Sequence, residues 1–173
     1  MEQITPKGRP RRGSRPLSEL GFLLTALLVI AFDQVSKLLI RANMTPGQSI
    51  PEEGLFRITY VTNTGGAFGI LGNQAFLMLV TSFVGVAAVL LYSRYPAFNR
   101  VAVKIALGLL LGGAIGNLID RLTLGRVVDF IDLGFWPVFN LADSAIVVGS
   151  FILVFFLLFQ ARRQERTFGS KEE

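Results

Sequence analysis

The chain has 173 residues and a formal net charge of +5; 51% of the residues are apolar and the mean hydropathy is +0.54, which is unusual for a soluble globule although the length suits one domain. It contains neither cysteine nor histidine, which excludes disulfides, thiolate or imidazole metal sites, cysteine nucleophiles and Ser-His-Asp or Cys-His catalysis.

Residues 1–16, rich in Arg, Pro and Gly, lack apolar periodicity and are expected to form a disordered cytoplasmic tail. An uncharged run over 20–32 then predicts a first helix over about 19–40. Basic residues before an apolar core also suit a cleaved signal peptide. However, Asp33, Gln34 and Lys37 follow the core without a small-residue cleavage site, and 38–40 resume the apolar run, so a retained helix is preferred. Pro46, Gly47, Pro51 and Gly54 mark turns, and the alternating, β-branched and aromatic stretch 55–61 predicts a strand, placing a small β-region over about 44–70. The glycines of 63–69 superficially resemble a phosphate-binding loop but lack its spacing.

Uncharged runs over 75–91, 105–119 and 145–159 predict further helices over about 75–93, 102–121 and 141–161, with a cytoplasmic tail over 164–173. Each run with its flanks approaches the roughly 20 residues that cross ~30 Å of hydrocarbon. In the third helix Gly108, Gly112 and Gly116 recur every fourth residue and Asp120 continues the row, giving a smooth face for close approach of a neighbouring helix. The expected fold is therefore an all-α membrane protein of four transmembrane helices with a small extracytoplasmic sheet.

Basic residues set the orientation. Lys7, Arg9, Arg11, Arg12 and Arg15 precede the first run, Arg94, Arg100 and Lys104 lie between the second and third, and Arg162, Arg163, Arg166 and Lys171 follow the fourth. The other connections, 41–74 and 121–142, carry only Arg41, Arg57, Arg121 and Arg126, so both termini are expected in the cytoplasm and these connections outside. No nucleic-acid partner is expected, because the positive charge sits where topology requires it and no aromatic residue interleaves with it.

Asp33 lies roughly 20 Å along the first helix and Asp120 about as far along the third, so both approach the outer surface. Asp143 opens the fourth helix from that side and Asp129 lies in the loop between; with Asn63, Asn117, Asn140, Arg121 and Arg126 they form the strongest candidate for chemistry. Two adjacent carboxylates share one proton and can activate water against an amide. Structural roles compete: Asp143 or Asn140 as helix cap, Asp120 in an ion pair with Arg121, Asp33 in an intrahelical pair with Lys37, Asn63 in a turn. Asp129, set among apolar neighbours, is the hardest of these to explain as structure alone.

At these residues the chain resembles lipoprotein signal peptidase, the signal peptidase II family. The first helix carries Asp33-Gln34-Val35-Ser36-Lys37, and the outward loop Asn63-Thr64-Gly65-Gly66-Ala67-Phe68, with Gly66 where alanine is commoner. The third helix ends in Gly116-Asn117-Leu118-Ile119-Asp120-Arg121, followed by Gly125-Arg126-Val127-Val128-Asp129-Phe130, and the fourth opens with Phe139-Asn140-Leu141-Ala142-Asp143. The resemblance implies an aspartyl endopeptidase with Asp129 and Asp143 as its catalytic dyad. Asn63, Gly65, Asn117, Asp120, Arg121 and Asn140 would line the site, with Asp33 and Lys37 in a supporting or substrate-contacting role. It implies no cofactor or metal, and a substrate that is a diacylglyceryl-modified prolipoprotein cut on the amino side of its lipobox cysteine. The outward strand region would be the family's β-cradle, and the active site would lie near the outer leaflet of the bacterial inner membrane, in contact with membrane lipids. The connector from Asp129 to Asp143 is shorter, and the basic tail longer, than the family's usual pattern.

Overall fold

The computed structural model describes residues 15–63, 74–94 and 100–169; the first fourteen residues of the tail expected over 1–16, the glycine-rich segment 64–69 with Gly65, and residues 170–173 lie outside them, and Arg15 and Pro16 belong to the first helix. The elements run α1 (Arg15–Asn43), β1 (Ser49–Ile50), β2 (Arg57–Asn63), α2 (Gln74–Ser93), α3 (Val101–Leu124), β3 (Val127–Asp132) and α4 (Leu141–Gly169). Segments Leu17–Asn43, Val101–Leu124 and Leu141–Phe159 are long and apolar enough to cross a bilayer, and α2 adds the apolar stretch Leu79–Ser93 among the residues whose side chains are described. Leu20, Leu24, Leu27 and Leu28 of α1 and Val147, Phe151 and Phe155 of α4 face outward. Apolar faces this continuous are stable against lipid and not against water.

The sequence explains why α3 is central. It packs against α1, α2 and α4, and its glycines remove the side chains that would hold those helices away. A Cβ placed on Gly108 would lie 2.7 Å from the Phe22 carbonyl oxygen, and one on Gly112 2.6 Å from the Cβ of Val29, both on α1. The glycine row read from the sequence is thus the seat of α1. Gly113, one position further round, meets α4, where an added Cβ would run into the Ala142 carbonyl oxygen and lie 2.8 Å from Ile146 Cγ1. At the end remote from the sheet, the buried Lys104 donates to the Ser93 carbonyl oxygen at the end of α2 and pairs with Glu19 of α1, tying those helices to the first turn of α3.

At the other end α3 stops at Gly125, whose φ of 69° is left-handed and whose N–H donates to the Arg121 carbonyl oxygen, so the chain turns directly into β3. The three strands form an antiparallel sheet in the order β1-β2-β3. Its middle strand runs over Arg57–Asn63 where the sequence predicts 55–61, because β3 fixes the register from Arg57 opposite Asp132 to Asn63 opposite Val127. Leu55 and Phe56 fall outside the ladder and are exposed.

This packing predicts unequal responses to one methyl group. Gly113→Ala should destabilise the folded protein by about 1–3 kcal/mol through overpacking. Gly21→Ala, with no heavy atom within 4 Å of the new Cβ, should be neutral or stabilise slightly. Thermal unfolding in detergent distinguishes them, and equal tolerance of both would contradict the close approach of α4 to α3.

Candidate active site

The site lies where the C-terminal ends of α1 and α3, the strands β2 and β3 and the first turn of α4 meet. Its base is an ammonium group. Lys37 of α1 is 2% exposed, and its Nζ lies 2.8 Å from Asp33 Oδ2, 3.0 Å from Asp120 Oδ2 and 3.0 Å from Asn117 Oδ1. Gln34 completes the bridge between the helices: its Nε2 donates to Asp33 Oδ2 at 3.2 Å, to Asp120 Oδ1 at 3.0 Å and to the Gly116 carbonyl oxygen at 3.1 Å. Each supporting carboxylate then reaches one element further. Asp120 Oδ2 accepts the Val128 N–H at 3.0 Å, and Asp33 Oδ1 accepts the Ala142 N–H at 3.0 Å. Val128 and Ala142 immediately precede Asp129 and Asp143, so each supporting acid grips the backbone beside one candidate catalytic acid.

Asparagines position the candidate acids themselves. Asn140 Nδ2 donates to Asp129 Oδ1 at 2.7 Å and also lies near Asn117 Oδ1 and the Val128 carbonyl oxygen. Asn117 Nδ2 donates to Asp143 Oδ1 at 2.8 Å. Asn140 also caps α4: its Oδ1 accepts the Asp143 N–H at 2.9 Å, while Asp143 Oδ2 accepts the Asn140 N–H at 3.3 Å. That reciprocal pair is a capping box, with Asn140 at the cap and Asp143 three residues on. Of the two residues read as possible caps, Asn140 is therefore the cap, while Asp143 closes the box with one oxygen and has its other oxygen held by Asn117.

Asp129 is buried on β3 and its carboxyl is pushed up to about 6. Burial is the main cause and the neighbouring Asp143 charge the second, opposed by hydrogen bonds from Asn140 and Asn63. Asp132, on the same strand, is shifted the other way. The Gly134 N–H at 2.8 Å and the Thr59 hydroxyl at 2.8 Å hold its carboxyl below the ordinary range, aided by Arg57, whose Nη2 is 2.8 Å away. One carboxyl on the strand is thus shifted toward its protonated form and the other toward its charged form, paired across the sheet with β2. Asp143, half-buried, opens with Asn117 and Arg121 onto a cleft of about 340 Å³ between α2, α3 and α4, which continues along Gly85, Leu110 and Ile146.

The structure brings together Asp33, Lys37, Asn63, Asn117, Asp120, Asp129, Asn140 and Asp143. Gly65 lies outside the described residues. The expected intrahelical pair of Asp33 and Lys37 is present. The expected ion pair of Asp120 with Arg121 is not: Asp120 points inward to Lys37, and Arg121 points toward α2, where its Nη1 donates to Ser82 Oγ at 3.1 Å. Adjacent residues on a helix diverge by about 100°, so they cannot share one direction. Asn63 ends β2 and bonds Asp129, where a turn role was open. Gln34 and Ser82 were not singled out as site residues; the signal for both was a polar residue within or beside an apolar span. Among the described residues no group of three acids is arranged to hold a metal ion.

Residues 25–159 match the model of the family described as signal peptidase (SPase) II. A lipoprotein signal peptidase of Moorella thermoacetica is 50% identical over 146 residues, covering 84% of this chain and 97% of the relative. Another, of Halothermothrix orenii, is 44% identical over 135 residues, covering 78% and 92%. Two solved structures described as bacterial membrane enzymes superpose with TM-scores of 0.72 and 0.74 at 34% identity, covering 81% and 79% of this chain and 88% and 92% of theirs. With apolar helices, a polar cluster at one end and relatives of this kind along most of its length, the chain belongs to the signal peptidase II family, bacterial membrane peptidases that remove signal peptides from prolipoproteins.

Proposed function

We propose that this peptidase is of the aspartic type and cuts diacylglyceryl-modified prolipoproteins on the amino side of the lipobox cysteine, with Asp129 and Asp143 sharing one proton. The observation that carries this reading is the buried carboxyl of Asp129, raised by burial and by the charge of Asp143, while neutral amides hold both side chains. Asp129 keeps the shared proton, and Asp143, open to the cleft, receives one from water. The water oxygen bonds to the scissile carbonyl carbon as the carbonyl oxygen takes the proton of Asp129. The tetrahedral intermediate then collapses: the C–N bond breaks, the nitrogen leaves with the proton gained by Asp143, and Asp129 recovers its own from the diol. Asn117 and Asn140 fix the pair, Asp33, Lys37 and Asp120 hold the backbone beside it, and Asn63, Gly65 and Arg121 meet the substrate chain.

The proposed setting has four spans, with α2 as the fourth, and both termini in the cytoplasm. The excess of Lys and Arg in the tails and the 94–104 connection supports this orientation. The sheet then lies over the outer face as a cradle, and the cleft below Asp143, polar at Thr81 and Ser82 and apolar deeper down, suits a signal helix entering sideways from the bilayer.

Asp129→Asn and Asp143→Asn should each lower cleavage of a diacylglyceryl-modified prolipoprotein by about 10²–10⁴-fold, followed by gel mobility in proteoliposomes, with the folded protein retained. Activity surviving in both variants would end the aspartic reading.

The shared proton is lost as pH rises through the Asp129 value of about 6, so kcat/KM should fall with an apparent pKa near 6 that belongs to the pair. Asn63→Ala, which removes a hydrogen bond to the ionised form, should move that limb to higher pH.

Stability carries the same sign. The folded chain binds this proton more tightly than the unfolded chain, whose carboxyl has the ordinary value of 3.8, so the contribution of Asp129 declines as pH climbs from 3.8 to about 6. Above that window Asp129→Asn should therefore be more stable than the unaltered chain by up to roughly 3 kcal/mol, seen as a higher unfolding temperature, with the difference closing as pH falls toward the lower value. A variant less stable than the parent at neutral pH would contradict the shift.

A further inference from the structure

Besides the buried Lys37, the end of the molecule that bears the sheet carries four arginines, Arg41, Arg57, Arg121 and Arg126. Two have work already: Arg57 pairs with Asp132, and Arg121 donates to Ser82 beside the cleft. Among the described residues neither Arg41 nor Arg126 has an ion pair or a side-chain hydrogen bond, and the two converge on one cavity of about 260 Å³. Arg41 comes from the last turn of α1 and Arg126 from the junction of α3 with β3. The rest of the wall is Pro46, Tyr60, Thr62, Leu124 and Val128, which adds two hydroxyls and no carboxylate.

The cavity is separate from the active site. Opposed residues of an antiparallel ladder share a face and neighbours along a strand alternate. Val61 pairs with Asp129 on one face, whereas Thr62 pairs with Val128 on the other, so the cavity lies on the reverse of the sheet from the Asp129 side chain. It also lies at the end of two apolar helices. Leu38, one turn before Arg41 on the same face of α1, is 59% exposed, and Leu122, in the last turn of α3, is 58% exposed. A ligand with its charge in the cavity can thus lay hydrocarbon along both helices.

We infer that Arg41 and Arg126, with the Tyr60 and Thr62 hydroxyls, bind the phosphodiester headgroup of an anionic glycerophospholipid whose chains lie against Leu38 and Leu122. Two guanidinium forks converging with hydroxyl donors and no competing acid suit a phosphate group. The exposed leucines favour a lipid over a free anion. A headgroup seated there would brace β2 and β3 from behind, the strands that carry Asn63 and Asp129.

The test uses the full chain in zwitterionic detergent micelles, with phosphatidylglycerol, phosphatidylcholine or inorganic phosphate added, read by thermal unfolding and by native mass spectrometry of bound lipid. A ligand that binds only the folded state raises the unfolding temperature, so phosphatidylglycerol should raise it while phosphatidylcholine should not. Arg41→Ala/Arg126→Ala should weaken phosphatidylglycerol binding by about tenfold or more and abolish most of the rise. Arg162→Ala/Arg163→Ala, with the same loss of charge in the far tail, should leave both intact. Since a shift in the parent chain needs no mutant, a folding defect in the double variant cannot hide the answer. An equal response in the double variant, a response lost equally in the tail control, or a rise given in full by inorganic phosphate would each overturn the lipid site.

Discussion

The site is organised around the buried ammonium of Lys37. A lone charge taken out of water costs several kcal/mol, so this side chain is tolerable only where oxygens surround it, and those oxygens come from both α1 and α3. Two carboxylates facing one ammonium leave negative charge over. That excess is met by the Gln34 amide and by two backbone N–H groups, those of Val128 and Ala142. Satisfying one cation therefore sets the entry of β3 and of α4 together. Asp129 and Asp143 are neighbours because the residue before each is bonded to an acid that also bonds Lys37.

The groups that touch the proposed dyad directly are of another kind. Asn117 and Asn140 donate to the carboxylates without bringing charge. A lysine or arginine in either place would favour ionisation of both acids and empty the pair of its proton. An amide fixes geometry and leaves the proton where burial and the second carboxylate put it. The cations accordingly stand one step away: Lys37 acts on Asp129 weakly and at a distance, as the smallest of the influences that lower its value. Asp132 shows the alternative outcome on the same strand, where two short hydrogen bonds and a paired arginine hold a carboxylate in its charged form.

Much of this was legible in the sequence, for identifiable reasons. Helices α1, α3 and α4 are written in uncharged runs, and the row from Gly108 to Asp120 marks the face that receives α1. The polar residues of the site were found because each stands out against an apolar background. The partners were harder to read. That Asp120 turns to Lys37 and not to Arg121 depends on the rotation of α3 about its own axis, which the spacing constrains only once a neighbouring helix is in place. The sequence reads 127–132 as part of a loop containing an acid, because only a partner more than sixty residues earlier makes it the strand β3. Its residues Val127, Val128 and Ile131 are β-branched, yet local propensity yields to pairing. The extent of β2 slipped for the same reason. The resemblance to a family supplied the choice of Asp129 and Asp143 as a pair; spacing alone leaves Asp143 open against capping.

The glycines of α3 connect packing to chemistry. Asp33 belongs to α1, yet its Oδ1 bonds the Ala142 N–H of α4, so the carboxylate must pass beside α3 to get there. It passes at Gly116, where an added Cβ would lie 2.6 Å from Asp33 Oδ2 and 3.4 Å from the Ala142 Cβ. Any side chain at that position would compete with the carboxylate for the same space. Asp33 would then lose the first turn of α4, and with it the N–H beside Asp143. Further along the row the requirement is only for close contact between helices; at Gly116 it is for a passage through which a short acid on one helix orders the start of another. The same row that seats α1 against α3 therefore ends where the bundle must be thin enough for three helices to share one hydrogen-bonded network.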